Sequence, residues 1–115
     1  MSDVRTESRP VEWREFLERL TADHQGDEVT IEVLSPEIGD QEEAERLAFS
    51  YLEYDNKDDV VVAVGGRDGR YPLLRHMIGR PRRILVDPPS PHEARAIDVE
   101  DRDGTHTIVT LHPRG

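Results

Sequence analysis

From Pro10 onward the hydrophobic positions follow first one period and then another, and the switch divides the chain. Trp13, Phe16, Leu17 and Leu20 stand at i, i+3, i+4 and i+7, the spacing that gathers side chains on one face of a helix. Glu12, Arg14, Glu15, Glu18 and Arg19 fill the other faces, so this segment predicts an amphipathic helix. Pro10 suits its first turn, where a missing N–H would have had no partner. Gly26, after His24 and Gln25, is the residue type that the left-handed turn past a helix end favours. From Glu28 the period falls to two: Val29, Ile31 and Val33 alternate with Thr30, Glu32 and Leu34, which predicts a half-buried strand.

The rest of the chain reads as short strands between turns. Pro36 and Gly39 give Ser35 to Asp40 turn chemistry, and Gln41 to Arg46 is polar enough for a short helical turn or a strand lead-in. Alternation of Leu47, Phe49 and Tyr51 predicts a strand through Tyr54, with Asp55-Asn56-Lys57-Asp58-Asp59 as the hairpin loop after it. Val60 to Val64 is a continuous, mostly β-branched apolar run, as expected of a central strand covered on both faces. Gly65-Gly66-Arg67-Asp68-Gly69 reads as a turn. Arg70 to Ile78 is extended again, with Pro72 arguing for an edge or a strand start. Gly79-Arg80-Pro81 breaks it, Arg82 to Val86 forms another strand, and Asp87-Pro88-Pro89-Ser90-Pro91 is stiff. Glu93 to Glu100 and Thr105 to Leu111 flank Asp101-Arg102-Asp103-Gly104 as a terminal hairpin with an Asp-Gly turn.

The fold class expected is therefore α+β: an N-terminal helix packed on a strongly bent, six- or seven-stranded antiparallel sheet or a partly open small barrel. Tight turns without intervening helices imply an antiparallel meander. A length of 115 residues fits a single domain over 1–115, in which the polar residues 1 to 8 are expected to fray.

Charge changes this picture more than bulk composition does. Twenty-five acidic residues against 15 basic ones give a net charge of −10, which repels nucleic acid as a whole-body effect. Of the basic residues only Lys57 is lysine, a bias that fits either a salt-rich cytoplasm or a GC-rich genome. Within this acidic chain, Arg67, Arg70, Arg75, Arg80, Arg82 and Arg83 share their stretch with one acid, Asp68. The local balance is +5 in a chain that is otherwise −15. Guanidinium groups bind carboxylates and phosphates bidentately, so these six arginines are the candidate binding face. The plainer reading is that they pair with carboxylates of the same chain or of a neighbouring subunit. Tyr71 is the single aromatic in the stretch, too few for a base-stacking surface.

Catalytic and metal motifs are not evident. Asp55 to Asp59 resembles a calcium loop only superficially, with Lys57 at the third position and Val60 at the sixth. Gly65 to Gly69 lacks both the G-x-G-x-x-G spacing and the lysine of a phosphate loop, and Tyr71-Pro72 follows where a helix would begin. The histidines His24, His76, His92, His106 and His112 show no H-E-x-x-H spacing. His106 and His112 fall on one side of a strand but about 20 Å apart, so surface histidines are the expectation. No nucleophile elbow is present. With no cysteine, thiolate chemistry and disulfides are excluded. No apolar run reaches the roughly 20 residues of a membrane span, and Met1 to Glu7 has no signal-peptide character, so a soluble, cytoplasmic protein is expected.

Pro10-Val11-Glu12-Trp13-Arg14-Glu15-Phe16-Leu17, then Gly26, Val29-Thr30-Ile31-Glu32-Val33-Leu34 and Pro36-Glu37-Ile38-Gly39-Asp40-Gln41, carry a likeness. The segment resembles a family of short uncharacterised prokaryotic proteins with the pattern E-W-x-x-F-L, a glycine, V-T-x-E-V-L and E-x-G-x-Q. The likeness is looser toward the C-terminus. It implies a standalone domain and carries over no catalytic or binding residue.

The function expected is a non-enzymatic binding or self-association module that uses the arginine-rich stretch, with a second copy or another protein as partner and an anionic ligand as a further option. The competing expectation is a small-molecule or anion pocket between the Trp13 helix and the sheet, in a protein that could be a minor enzyme. An RNA-binding small barrel is the least favoured. No cofactor and no metal are expected.

Overall fold

The change of hydrophobic period at Gly26 is a structural boundary. In the computed structural model, which describes residues 4–5, 10–37, 39–66 and 72–113, helix α1 spans Pro10–Asp23. Gly26 then takes a φ of 93°, the left-handed conformation that a Cβ would penalise. Eight strands accompany the helix: β1 (Val4–Arg5), β2 (Glu28–Ser35), β3 (Gly39–Asp55), β4 (Val60–Gly66), β5 (Pro72–Gly79), β6 (Pro81–Asp87), β7 (Ala96–Asp101) and β8 (His106–His112). The eighth strand, beyond the six or seven expected, is β1. Val4 and Arg5 lie within the segment expected to fray, yet pair with Val86 and Leu85 of β6.

All pairings are antiparallel, in the order β1-β6-β7-β8-β2-β3-β4-β5. The two ends of that order, β1 and β5, do not pair, so the sheet bends without closing. This is not the simple meander that tight turns implied. β8 inserts between β7 and β2, and the consecutive strands β5 and β6 lie far apart in the order. The reason is geometric: only Arg80 separates β5 from β6, whereas a hairpin needs about two loop residues. The chain therefore turns a corner at Arg80, which has a φ of 52°.

A second corner lies within β3. Its first half pairs with β2 as far as Ala48, and its second half, from Phe49, pairs with β4. Arg46, at φ 55°, sits at the bend. The polar run Gln41 to Arg46 is thus strand, not a helical turn. Gly65 and Gly66 belong to β4, where a turn was expected. A Cβ on Gly65 would lie 3.3 Å from both the Ala48 carbonyl oxygen and Val29 Cγ1, so a larger residue would make β3 and β2 give by a few tenths of an ångström.

Where β3 leaves β2, its second half has a bare edge, and α1 covers it. Leu52 N donates to Thr21 Oγ1 at 3.0 Å and Thr21 Oγ1 donates to the Leu52 carbonyl at 2.9 Å, so one hydroxyl stands in for a strand partner. Gln25 Nε2 donates to the Ser50 carbonyl at 3.0 Å, and Phe49 N donates to the Asp27 carbonyl at 2.9 Å. Below this seam Trp13, Leu17 and Leu20 of the predicted helix face share one buried core with Leu52, Tyr54, Val61 and Ala63. The Trp13 and Tyr54 rings meet edge to face at 5.1 Å. Burying a leucine such as Leu17 or Leu20 contributes about 1.5–3 kcal/mol.

Candidate functional site

The arginine-rich stretch falls on the corner between β5 and β6 and on the strand that leads into it. Arg67 and Arg70 lie outside the described residues, as does Tyr71. Arg75 is exposed near the middle of β5, opposite Val64 of β4. Arg80 is exposed at the corner itself, its backbone held by an N–H donated to the Asp59 carbonyl at 2.8 Å.

Beyond the corner, Pro81 pairs with Asp101 and Arg83 with Glu100. Two residues of β6 therefore advance against one of β7, and Arg82 is the extra residue of a bulge, directed to solvent. Arg83 instead has an acidic neighbour, with its side chain still partly exposed. Its Nη1 lies 3.7 Å from Glu100 Oε1, and Glu100 Oε2 lies 3.9 Å from His106 Nε2. His106 Nδ1 in turn meets Asp98 Oδ1 at 2.9 Å. Arg83 is thus committed to its own chain, whereas Arg75, Arg80 and Arg82 have no ion-pair partner among the described residues.

The backbone beside these arginines is also open, because β5 begins at Pro72 and is an edge strand, as that proline argued. The Arg80 bond to Asp59 fixes the phase of the β4–β5 ladder: pairs alternate along an antiparallel ladder, so His76 and Ile78 bond to β4. Arg75, Met77 and Gly79 then direct their N–H and C=O groups away from it. All three are exposed: Met77 is 53% exposed, and a Cβ on Gly79 would meet nothing within 4 Å. Among the described residues no strand or loop pairs with this edge. The alternation of Arg75, Met77 and Gly79 with Leu74, His76 and Ile78 was the available signal.

Elsewhere the candidates resolve into structure. Trp13 is 3% exposed and Leu17 and Leu20 are fully buried, so the helix is seated on the sheet where a pocket was considered. Trp13 Nε1 is buried without an acceptor among the described residues. An open cleft of about 360 Å³ lies instead between the β2–β3 and β7–β8 turns, lined by Ser35, Pro36, Glu37, Asp103 and Thr105. Asp101 Oδ1, nearby, accepts from Asp103 N and Thr105 N and so serves its own turn.

His24, expected on the surface, is buried, with Nδ1 2.7 Å from Asp27 Oδ2 and Nε2 2.8 Å from the Pro91 carbonyl. It ties the helix end to the β6–β7 connection. His112 Nε2 meets Thr30 Oγ1 at 2.8 Å. Among the described residues no three His, Asp or Glu side chains converge as metal ligands. Tyr54 donates to Asp59 Oδ1 at 2.7 Å, and its hydroxyl is pushed up to about 12 by burial first, then by the bond to Asp59 and the charges of Asp59 and Asp55. No helix is long and apolar enough to cross a membrane among the described residues.

Fold and surface together define a small α+β protein: a bent open antiparallel sheet capped on one edge by its own helix. The chain belongs to the family of unknown function DUF5335, whose model matches residues 6–115. It is also similar to an uncharacterized protein of Aquifex aeolicus (strain VF5), 33% identical over 102 residues that cover 89% of this chain and 86% of that one. No solved structure matches.

Proposed function

We propose that the protein is a non-enzymatic binding module that engages a carboxylate-bearing protein surface through Arg75, Arg80 and Arg82. The observation that carries this reading is that these three residues are exposed and have no ion-pair partner among the described residues of a chain of net charge −10. Carboxylates are abundant enough to neutralise every arginine, so cations left open next to them are available to an outside partner. Charge-assisted bidentate bonds are the strongest contacts such groups make. Arg83 differs in having Glu100 within ion-pair distance.

A pocket between helix and sheet is the weaker reading, because Trp13, Leu17 and Leu20 fill that space. Poly-glutamate is a suitable probe. Binding measured by fluorescence anisotropy at low salt is expected to weaken at least tenfold in Arg75→Glu/Arg80→Glu/Arg82→Glu, and to fall as salt screens exposed charges beyond about 8 Å. Equal binding by the wild type and the triple variant would remove the basis of the proposal, as would tighter binding of single-stranded RNA than of poly-glutamate.

A further inference from the structure

The geometry points to β5 as a docking edge that takes up an extended acidic segment of another protein as a ninth, antiparallel strand. The inference rests on the arginine surface proposed above and gives it a mode of recognition. Arg75, Met77 and Gly79 present their N–H and C=O groups outward, and none is paired among the described residues. An incoming antiparallel strand forms bonded pairs with these three residues, each pair exchanging two hydrogen bonds.

Side chains then set the sequence that fits. On the face shared with Val60, Val62 and Val64 the edge offers Arg75, exposed Met77 and the open space over Gly79. The incoming strand therefore carries an acid opposite Arg75, an apolar residue opposite Met77 and a large side chain opposite Gly79. A second acid one position before that large residue lies level with Arg80. Arg75 and Arg80 are thus about 17 Å apart along the strand, and two carboxylates five residues apart match them.

A second copy of this chain fits less well. Antiparallel pairing of β5 with itself about Met77 sets Arg75 of each copy opposite Gly79 and beside Arg80 of the other, where like charges repel. Native sheets blunt an exposed edge with charge, proline, a bulge or a covering element. Here Arg75 is the one charged residue among the three that face outward, and its charge selects a partner's sign.

The test uses the full chain and the peptide acetyl-Glu-Leu-Thr-Ile-Thr-Glu-amide, with backbone amide exchange and anisotropy as readouts. Expected on binding is slowed exchange at Arg75, Met77 and Gly79, with His76 and Ile78 unchanged. Met77→Pro removes an outward N–H while leaving the β4 ladder intact and should weaken the peptide at least tenfold while poly-glutamate binding persists. The same peptide N-methylated at its isoleucine tests the mode without altering the protein, and should also lose at least tenfold.

If poly-glutamate binds and the three outward amides gain no protection, strand addition is overturned and the arginine surface stands. Should both probes fail, both readings fall. A wild-type dimer that Met77→Pro converts to monomer would make a second copy the occupant and overturn the acidic-strand proposal.

Discussion

Among the places where a strand of the described sheet lacks a neighbouring strand, the chain treats the second half of β3 and β5 oppositely. Along the second half of β3, Thr21 and Gln25 satisfy the Leu52 and Ser50 backbone groups and the Trp13, Leu17 and Leu20 face seals the seam. Along β5, Arg75, Met77 and Gly79 stand exposed with outward groups unpaired among the described residues. A bare edge is a template for association, and this protein has a helix able to cover one. The covered edge belongs to the fold. The open edge is where selection for a partner can act without disturbing the core.

The contrast can be broken most forcefully at the covered edge. Leu17→Ala is expected to cost about 2–5 kcal/mol, since a fully buried side chain leaves a cavity under the helix; urea unfolding measures it. Thr21→Val keeps the shape but strands the Leu52 N–H and C=O, at about 1–3 kcal/mol in the same assay. An unchanged midpoint for Thr21→Val would mean that the hydroxyl bridge is incidental to the helix seat.

Tyr54 sharpens the comparison from within the seam. Its hydroxyl is raised to about 12 by burial and by Asp59, so the folded state favours the protonated phenol over the unfolded chain. That contribution is present below about pH 10, the ordinary tyrosine value, and is lost as pH rises through 12. An ultraviolet titration should show a late phenol ionisation near pH 12, and Tyr54→Phe should abolish that step.

The smallest effect is on stability at the open edge, where Met77→Thr should fall within about 0.5 kcal/mol of wild type. Amide exchange there should nonetheless alternate residue by residue, fast at Arg75, Met77 and Gly79 and slow at His76 and Ile78. Uniform protection along β5 would show that something covers the edge.

How much of this was legible follows from which signals are local. Trp13, Phe16, Leu17 and Leu20 announced the helix through spacing alone, and the Asp101 to Gly104 turn announced the terminal hairpin, with Gly104 at φ 84°. The Val60 to Val64 run correctly marked a fully buried strand. The corners were not legible, because Arg46 and Arg80 take positive φ without the glycine that usually signals it. Nor was the length of β3, whose first half is polar. Pairing of Val29 with Leu111 is set by sheet order, not by neighbours in sequence.

For the site, composition located the arginine cluster. The phase of the β4–β5 ladder, which separates outward from inward residues, needed the Arg80 bond to Asp59. The loss of Arg83 to Glu100 depended on a bulge that no residue type declares.

The central place of β8 bears on how the chain reaches this state. Its partners are β7, just before it, and β2, near the start of the chain. During synthesis β2 must therefore wait, with one flank bare, until His106 and the residues after it emerge. Long-range closure of that kind is slow and leaves apolar strands open to the wrong neighbour. A nascent chain stalled before Thr105 would expose Val29 and Ile31 to whatever strand came first, which makes the final strand the timekeeper of folding.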